Sequence, residues 1–160
     1  MSTLEFDTKY LKVFKNKHYL FSQRLGIDSV AFILLDNNRL DCYGLINEFK
    51  PPINKFLTTA FGGSLDSDLS PLEIVIQEVA EEAGYVVTED DIKYYGKMFV
   101  STQMNQFCHM YLVDITGIDM TGRTTEDPLE LQATTKWLDD EQVYLGNDWK
   151  AITIMAKEIY

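Results

Sequence analysis

The sequence predicts an α/β or α+β domain, a mixed β-sheet with helices packed on it. Three observations point there. Short apolar, β-branched segments alternate with turn-forming residues as far as Phe61. A capped amphipathic helix follows from Ser70 to about Ala83. Further strand-like segments then lead into a helical C-terminus, a mixture typical of sheet-and-helix domains. The 160 residues suit one domain, residues 1–160, and carry no internal repeat or linker.

Residues 10–14 and 18–22 flank the polar Lys15-Asn16-Lys17 and are expected to pair as a hairpin. Residues 29–35 read as a buried strand. Asp36-Asn37-Asn38 is a turn, since Asn and Asp tolerate left-handed backbone, and residues 40–46 are the returning strand. Pro51-Pro52 marks a loop, because proline donates nothing to a ladder. Residues 55–61 form a further strand ending at Gly62-Gly63, and residues 64–68 a polar loop. Ser70 is the N-cap of the helix, Pro71 its first residue, and Glu73 completes a capping box. Gly84 ends it. Leu72, Val75, Ile76, Val79 and Ala83 recur at helical spacing as its buried face. Residues 91–100 and 107–115 read as strands, 116–128 as a loop and 130–138 as another strand. Residues 139–145 and 147–159 read as a short and a longer helix.

Hydrophobic residues make up 46% and charged residues 24%, which excludes a wholly disordered or fibrous chain. Fourteen basic against 25 acidic residues give a net charge of −11. Such a chain repels the phosphates of duplex nucleic acid, so none is expected as a partner. Phosphate chemistry stays open where cations stand between carboxylates and substrate. No apolar run approaches the ~18 residues of a membrane span, and residues 1–10 carry no signal-peptide pattern. Cys42 and Cys108 match no metal spacing and are expected as free thiols. Cytoplasm is the expected location.

The chemical signal is Gln77-Glu78-Val79-Ala80-Glu81-Glu82-Ala83-Gly84. Glu78, Glu81 and Glu82 stand at i, i+3 and i+4 and share a helix face, expected roughly opposite the apolar one. Like charges there repel, and anions at a helix C-terminus also oppose the macrodipole. Glutamate-rich faces are ordinarily solvated surface. Against that, divalent cations remove the repulsion, and hard oxygen ligands suit Mg²⁺ or Mn²⁺.

Gly63, Glu78, Val79, Glu81, Glu82 and Gly84 fall, without a gap, on G-x5-E-x7-R-E-U-x-E-E-x-G-U, where U is bulky and aliphatic. The chain thereby resembles the Nudix hydrolase family. It departs from the pattern at Leu69, in place of the glutamate, at Gln77, in place of the arginine, and at Tyr85, in place of the last U. In the family that glutamate and arginine brace the metal-binding carboxylates. Loss of one alone strands a charge, whereas loss of both together is nearly neutral for the fold. The loss bears on catalytic strength instead, since such partners orient ligands. Gln77 retains the capacity to donate to a carboxylate.

The resemblance extends beyond the box. Glu48-Phe49-Lys50-Pro51 is similar to a segment of the ADP-ribose pyrophosphatase branch, with Lys50 where that branch has arginine. Trp137-Leu138-Asp139 is similar to its last strand, and residues 147–153 to its final helix. The resemblance implies the Nudix fold, a mixed sheet sandwiched between helices (α/β/α). It implies Mg²⁺- or Mn²⁺-dependent hydrolysis of a nucleoside diphosphate linked to another moiety, with ADP-ribose the first substrate. The metal ligands it implies are Glu78, Glu82, Glu81 and the Gly62 carbonyl. Glu81 is also a candidate base, as is Glu126 of the 116–128 loop, with Asp127 second and Glu130 eligible if the last strand starts later. Phe49, Lys50 and Gly63 are the substrate-binding candidates, and Arg24 and Lys50 are placed to meet a phosphate or a terminal ribose. Phe107 and Tyr111 read first as core. The resemblance further implies a homodimer, with residues 1–25 as contact element. The rival reading is a catalytically weak or inactive nucleotide-binding protein, motivated by Leu69 and Gln77.

Overall fold

The computed structural model describes residues 2–125, 128 and 130–160. Among these residues nine strands form one curled sheet: β1 (Thr3–Asp7), β2 (Leu11–Asn16), β3 (Tyr19–Arg24), β4 (Ser29–Leu35), β5 (Tyr43–Lys50), β6 (Lys55–Thr59), β7 (Ile92–Ser101), β8 (Met104–Asp114) and β9 (Thr134–Leu138). The α-helices α1 (Pro71–Glu78), α2 (Asp140–Tyr144) and α3 (Trp149–Ile159) pack on it. The spatial order is β1-β2-β3-β8-β4-β5-β6, with β7 beside β8 and β9 beside β5. β8 runs parallel to β4 and β3, and the other pairs are antiparallel.

The two-residue period of β4 builds the sandwich. Val30, Phe32 and Leu34 face the core under α1, while Ala31, Ile33 and Leu35 face the core under α2 and α3. β8 does the same with Tyr111 and Val113 on one side and Cys108, Met110 and Leu112 on the other. Both faces are covered, so Val30–Leu35 of β4 and Met110–Val113 of β8 are unbroken apolar runs rather than alternating ones. Phe32 stacks on Phe61 at 5.1 Å, and burial of each such side chain contributes about 1.5–3 kcal/mol.

The expected hairpin is present as β2 and β3, and it gains an outer strand. β1 is exposed along its whole length and pairs with β2 through a bulge between Leu4 and Phe6. Residues 40–42 are not strand; β5 starts at Tyr43 and runs on through Lys50, pairing with β9 along its first half and with β6 along its second. Pro51–Ile53 is a single 3-10 turn. The segment 130–138 divides into a 3-10 turn, Glu130–Gln132, and then β9. The capping box is made: Ser70 Oγ accepts from the Glu73 amide at 3.3 Å, and Glu73 Oε2 accepts from the Ser70 amide at 2.7 Å. α1 gives way at Val79–Ala83 to one π-helical turn, closed by Gly84 at φ 81°.

Candidate active site

Two segments meet at the site. The first is the strap from Phe61 to Leu65. Phe61 and Phe32 exchange backbone hydrogen bonds of 2.9 and 3.0 Å, the Val30 amide donates to the Gly63 carbonyl at 2.9 Å, and the Leu65 amide donates to the Asp28 carbonyl at 3.1 Å. The strap therefore lies tight against β4. A Cβ on Gly62 would stand 2.6 Å from the Val30 carbonyl oxygen. A Cβ on Gly63 would overlap the Glu78 carboxylate. Close approach, not unusual backbone, demands both glycines.

The second segment is the end of α1 and its π turn. Here the expected face is corrected. The carboxylates do not form a solvated face opposite the apolar one: Glu82 is 7% exposed, and Glu78 and Glu81 are half-buried. Glu78 and Glu82 follow Val75 and Val79 by three residues and so turn toward the body of the protein. The π turn carries the Gly84 amide back to the Val79 carbonyl at 2.8 Å. Gln77 Nε2 donates to Glu81 Oε1 at 2.8 Å, one turn along the exposed side.

Burial sets the electrostatics. Glu82 is pushed up to about 8, first by burial, then by Glu78, Glu130 and Glu48, while a backbone hydrogen bond from Gly62 works the other way. Glu78 is pushed up to about 7, first by burial, then by Glu81, Glu130 and Asp66. Glu82 Oε2 is buried and has no hydrogen-bond partner. A buried polar atom left unpaired costs about 1–3 kcal/mol, and more for a charged group.

A divalent cation fits these residues. The donors are hard carboxylate oxygens, two of them carried by buried groups that repel one another, and the orphaned Glu82 oxygen lacks a positive partner. Among the described residues no group of three or more His, Cys, Asp or Glu side chains is placed to hold a metal ion. The fit thus rests on the Glu78–Glu82 pair, with Glu81 beside it.

The other candidates fall as follows. Glu126 and Asp127 lie outside the described residues. Glu130 precedes β9, and its charge acts on both Glu78 and Glu82. Its Oε2 accepts a hydrogen bond from Thr125. Lys50 pairs with Glu48 two residues back on the same face of β5. Phe49 points to the opposite face, where it meets Phe56 edge-on at 5.6 Å. The two candidates therefore stand on opposite faces of β5. Phe107 pairs with Phe99 and is 38% exposed, a surface position rather than core, whereas Tyr111 is core.

Lys50 does line a cavity of about 280 Å³ with Arg24, Lys150, Glu48, Gly62 and Gly63. Lys150 and Asp148 were not singled out in the sequence as site residues. Asp148 is buried, caps α3, and accepts from the Ala60 amide at 2.6 Å and the Lys150 amide at 3.3 Å. Its signals were its place just before an apolar helical run and the resemblance of residues 147–153 to a family helix.

A mixed curled sheet between helices, with a glycine strap over the glutamates, defines an α+β fold. Family models and curated protein sequences give no match to the chain. Among solved structures the chain is similar to a crystal structure of an ADP compounds hydrolase, with TM-score 0.74 and 12% sequence identity, over 99% of this chain and 93% of that one. Among the described residues no helix is long and apolar enough to cross a membrane.

Proposed function

We propose that the protein is a Mg²⁺- or Mn²⁺-dependent Nudix-type hydrolase. It cleaves the pyrophosphate of a nucleoside diphosphate linked to a second moiety, with ADP-ribose as the first substrate and AMP and ribose 5-phosphate as products. The observation that carries this reading is the buried Glu78–Glu82 pair with its unpartnered oxygen under the Gly62-Gly63 strap. Structural likeness to an ADP compounds hydrolase supports the choice of substrate class.

Glu78 and Glu82 would hold the cation, with Glu81 as a third carboxylate and the Gly62 carbonyl as an added oxygen. When bound, the ion neutralises the diphosphate and lowers the pKa of an attacking water. The remaining work falls to the chain. Gln77 orients Glu81 by the hydrogen bond it donates, in place of the charged brace of the family pattern. Water forms a new bond to one phosphorus as the bridging oxygen leaves, and a carboxylate takes the proton of the water. Glu81 is one such group. Glu126, which lies outside the described residues, is the candidate loop base, with Asp127 second, and Glu130 is a further candidate whose charge acts on both Glu78 and Glu82. The exposed Leu4 and Phe6 of β1, Leu20 of β3 and Tyr10 just before β2 support contact with a second copy of the chain there.

The test is product analysis after incubation with ADP-ribose, with and without Mg²⁺ or Mn²⁺. AMP and ribose 5-phosphate that require metal and vanish in Glu82→Gln are expected. Metal-independent release, or release unchanged in Glu82→Gln, rejects the reading. Thermal stabilisation by nucleotides with no product marks a binding protein instead.

A further inference from the structure

Arg123 is a half-buried cation that, among the described residues, has no carboxylate within ion-pair distance. Both of its terminal nitrogens go to backbone instead. Nη1 donates to the Ala133 carbonyl at 2.6 Å and Nη2 to the Glu130 carbonyl at 2.8 Å. Its Nε is buried and has no hydrogen-bond partner. A buried donor left unpaired costs stability, and so does taking a charge out of water without a counter-charge. The turn that receives the arginine is already closed by its own bond, from the Ala133 amide to the Glu130 carbonyl at 2.9 Å. Stability of that turn alone does not call for a guanidinium.

The backbone of Arg123 is fixed to the end of the carboxylate turn. The Gly84 carbonyl accepts from the Thr121 amide at 2.8 Å, the Gly122 amide at 3.2 Å and Thr121 Oγ1 at 3.1 Å. A Cβ on Gly84 would stand 2.9 Å from the Arg123 amide nitrogen, so this segment lies directly on the residue that closes the π turn. The side chain then reaches across to the 3-10 turn Glu130–Gln132. Ala133, just after that turn, is buried in the same core as Val79 and Ala83 of the π turn. The Glu130 carboxylate is itself held, since Oε2 accepts from Thr125, and its charge acts on both Glu78 and Glu82. Arg123 therefore bridges the turn that carries the glutamate pair and the turn that carries Glu130. A planar fork of donors in fixed geometry suits two carbonyls at once, as the single ammonium of lysine does not.

We infer that Arg123 is a positioning residue: its guanidinium clamps the Glu130 turn to the end of the carboxylate turn and so keeps the Glu130 carboxylate beside the Glu78–Glu82 pair. The inference rests on the hydrolase reading for the use made of Glu130, while the clamp itself consists of the bonds to the Glu130 and Ala133 carbonyls. Releasing the clamp moves a negative charge away from the pair, so a divalent cation there is held less tightly. It also carries off one candidate acceptor for the proton of the attacking water.

Mn²⁺ binding without substrate is measured first, by electron paramagnetic resonance, for wild type, Arg123→Lys, Glu130→Gln and the double variant. Lysine keeps the charge and loses the fork, so a change reports where Glu130 stands rather than the loss of a cation. Glu130→Gln weakens Mn²⁺ by about threefold or more, Arg123→Lys does the same, and the double variant binds no more weakly than Glu130→Gln. ADP-ribose kinetics follow on the same samples. Each single variant loses about tenfold in kcat with KM within about twofold of wild type, and the double variant loses no more than the larger single loss. Arg123→Gln replaces Arg123→Lys in the kinetic comparison if the lysine variant does not fold, with the same loss in kcat and the same lack of additivity expected. Mn²⁺ held by Arg123→Lys as tightly as by wild type, or losses that multiply in the double variant, overturns the clamp. The predicted Mn²⁺ pattern with no turnover in wild type would reject the hydrolase reading and leave the clamp standing.

Discussion

Gly63 and Glu78 occupy space that admits no side chain between them: a Cβ on Gly63 would fall on the Glu78 carboxylate. Gly63→Ala therefore displaces Glu78 rather than the strap, which is held by the Val30 amide. Displacements near 1 Å at a reacting site cost on the order of 100-fold in rate. The expected outcome is a fall in kcat/KM of that order with a near-native unfolding midpoint. Activity within twofold of wild type contradicts the placement.

The raised Glu78 and Glu82 give a pH dependence with a definite sign. Both carboxyls lie near 4.5 in the unfolded chain and at about 7 and about 8 when folded. Between those values the folded state holds more protons, so stability falls as pH rises. The penalty is absent below pH about 4.5, grows through the window, and is complete above about 8. In EDTA the melting temperature contributed by this pair should drop from pH 5.5 to 8.5. Mg²⁺ or Mn²⁺ should restore it most at the alkaline end. In EDTA at pH 8.5, Glu82→Gln should melt above wild type. A Glu82→Gln protein that melts lower there removes the electrostatic account.

Asp148 joins the start of α3 to the strand end at Ala60. Asp148→Ala removes the cap and strands the buried Ala60 amide. The expected loss is about 2 kcal/mol or more, from a cap worth ~1 kcal/mol and an unpaired donor of ~1–3 kcal/mol. Urea unfolding measures it, and a loss below ~0.5 kcal/mol would show the bond to be idle.

Gln77 lends Glu81 one neutral hydrogen bond. Gln77→Ala should lower kcat by roughly tenfold, within the 10–100-fold range for partners that orient ligands, and leave KM nearly unchanged. A change confined to KM would place Gln77 on the substrate instead.

Local chemistry was legible in the sequence and long-range placement was not. The Ser70–Glu73 box and the Gly84 stop are set by neighbours within one turn, so they could be read directly. β4 declared itself by an apolar run that both helical layers require. β1 was missed because its alternation, Leu4 and Phe6 among polar residues, spans only five residues and buries neither face. The depth of Glu82 was missed because carboxylates at helical spacing look like surface until the π turn and the strap over them are placed. Phe49 and Lys50 are adjacent in β5 and so face opposite sides of the sheet, a separation set by the strand period. Lys150 was invisible as a site residue since Arg24, Lys50 and Lys150 come together only through the sheet and α3.

The central claim is that the Glu78–Glu82 pair holds the cation on which hydrolysis depends. The most direct measurement is Mn²⁺ binding by electron paramagnetic resonance together with ADP-ribose turnover, on the same samples of wild type, Glu78→Gln and Glu82→Gln. The account predicts that binding and turnover are both present in wild type and fall together, by about 100-fold or more in turnover, in each variant. Turnover that survives in Glu82→Gln, or Mn²⁺ bound equally by all three proteins, would contradict it.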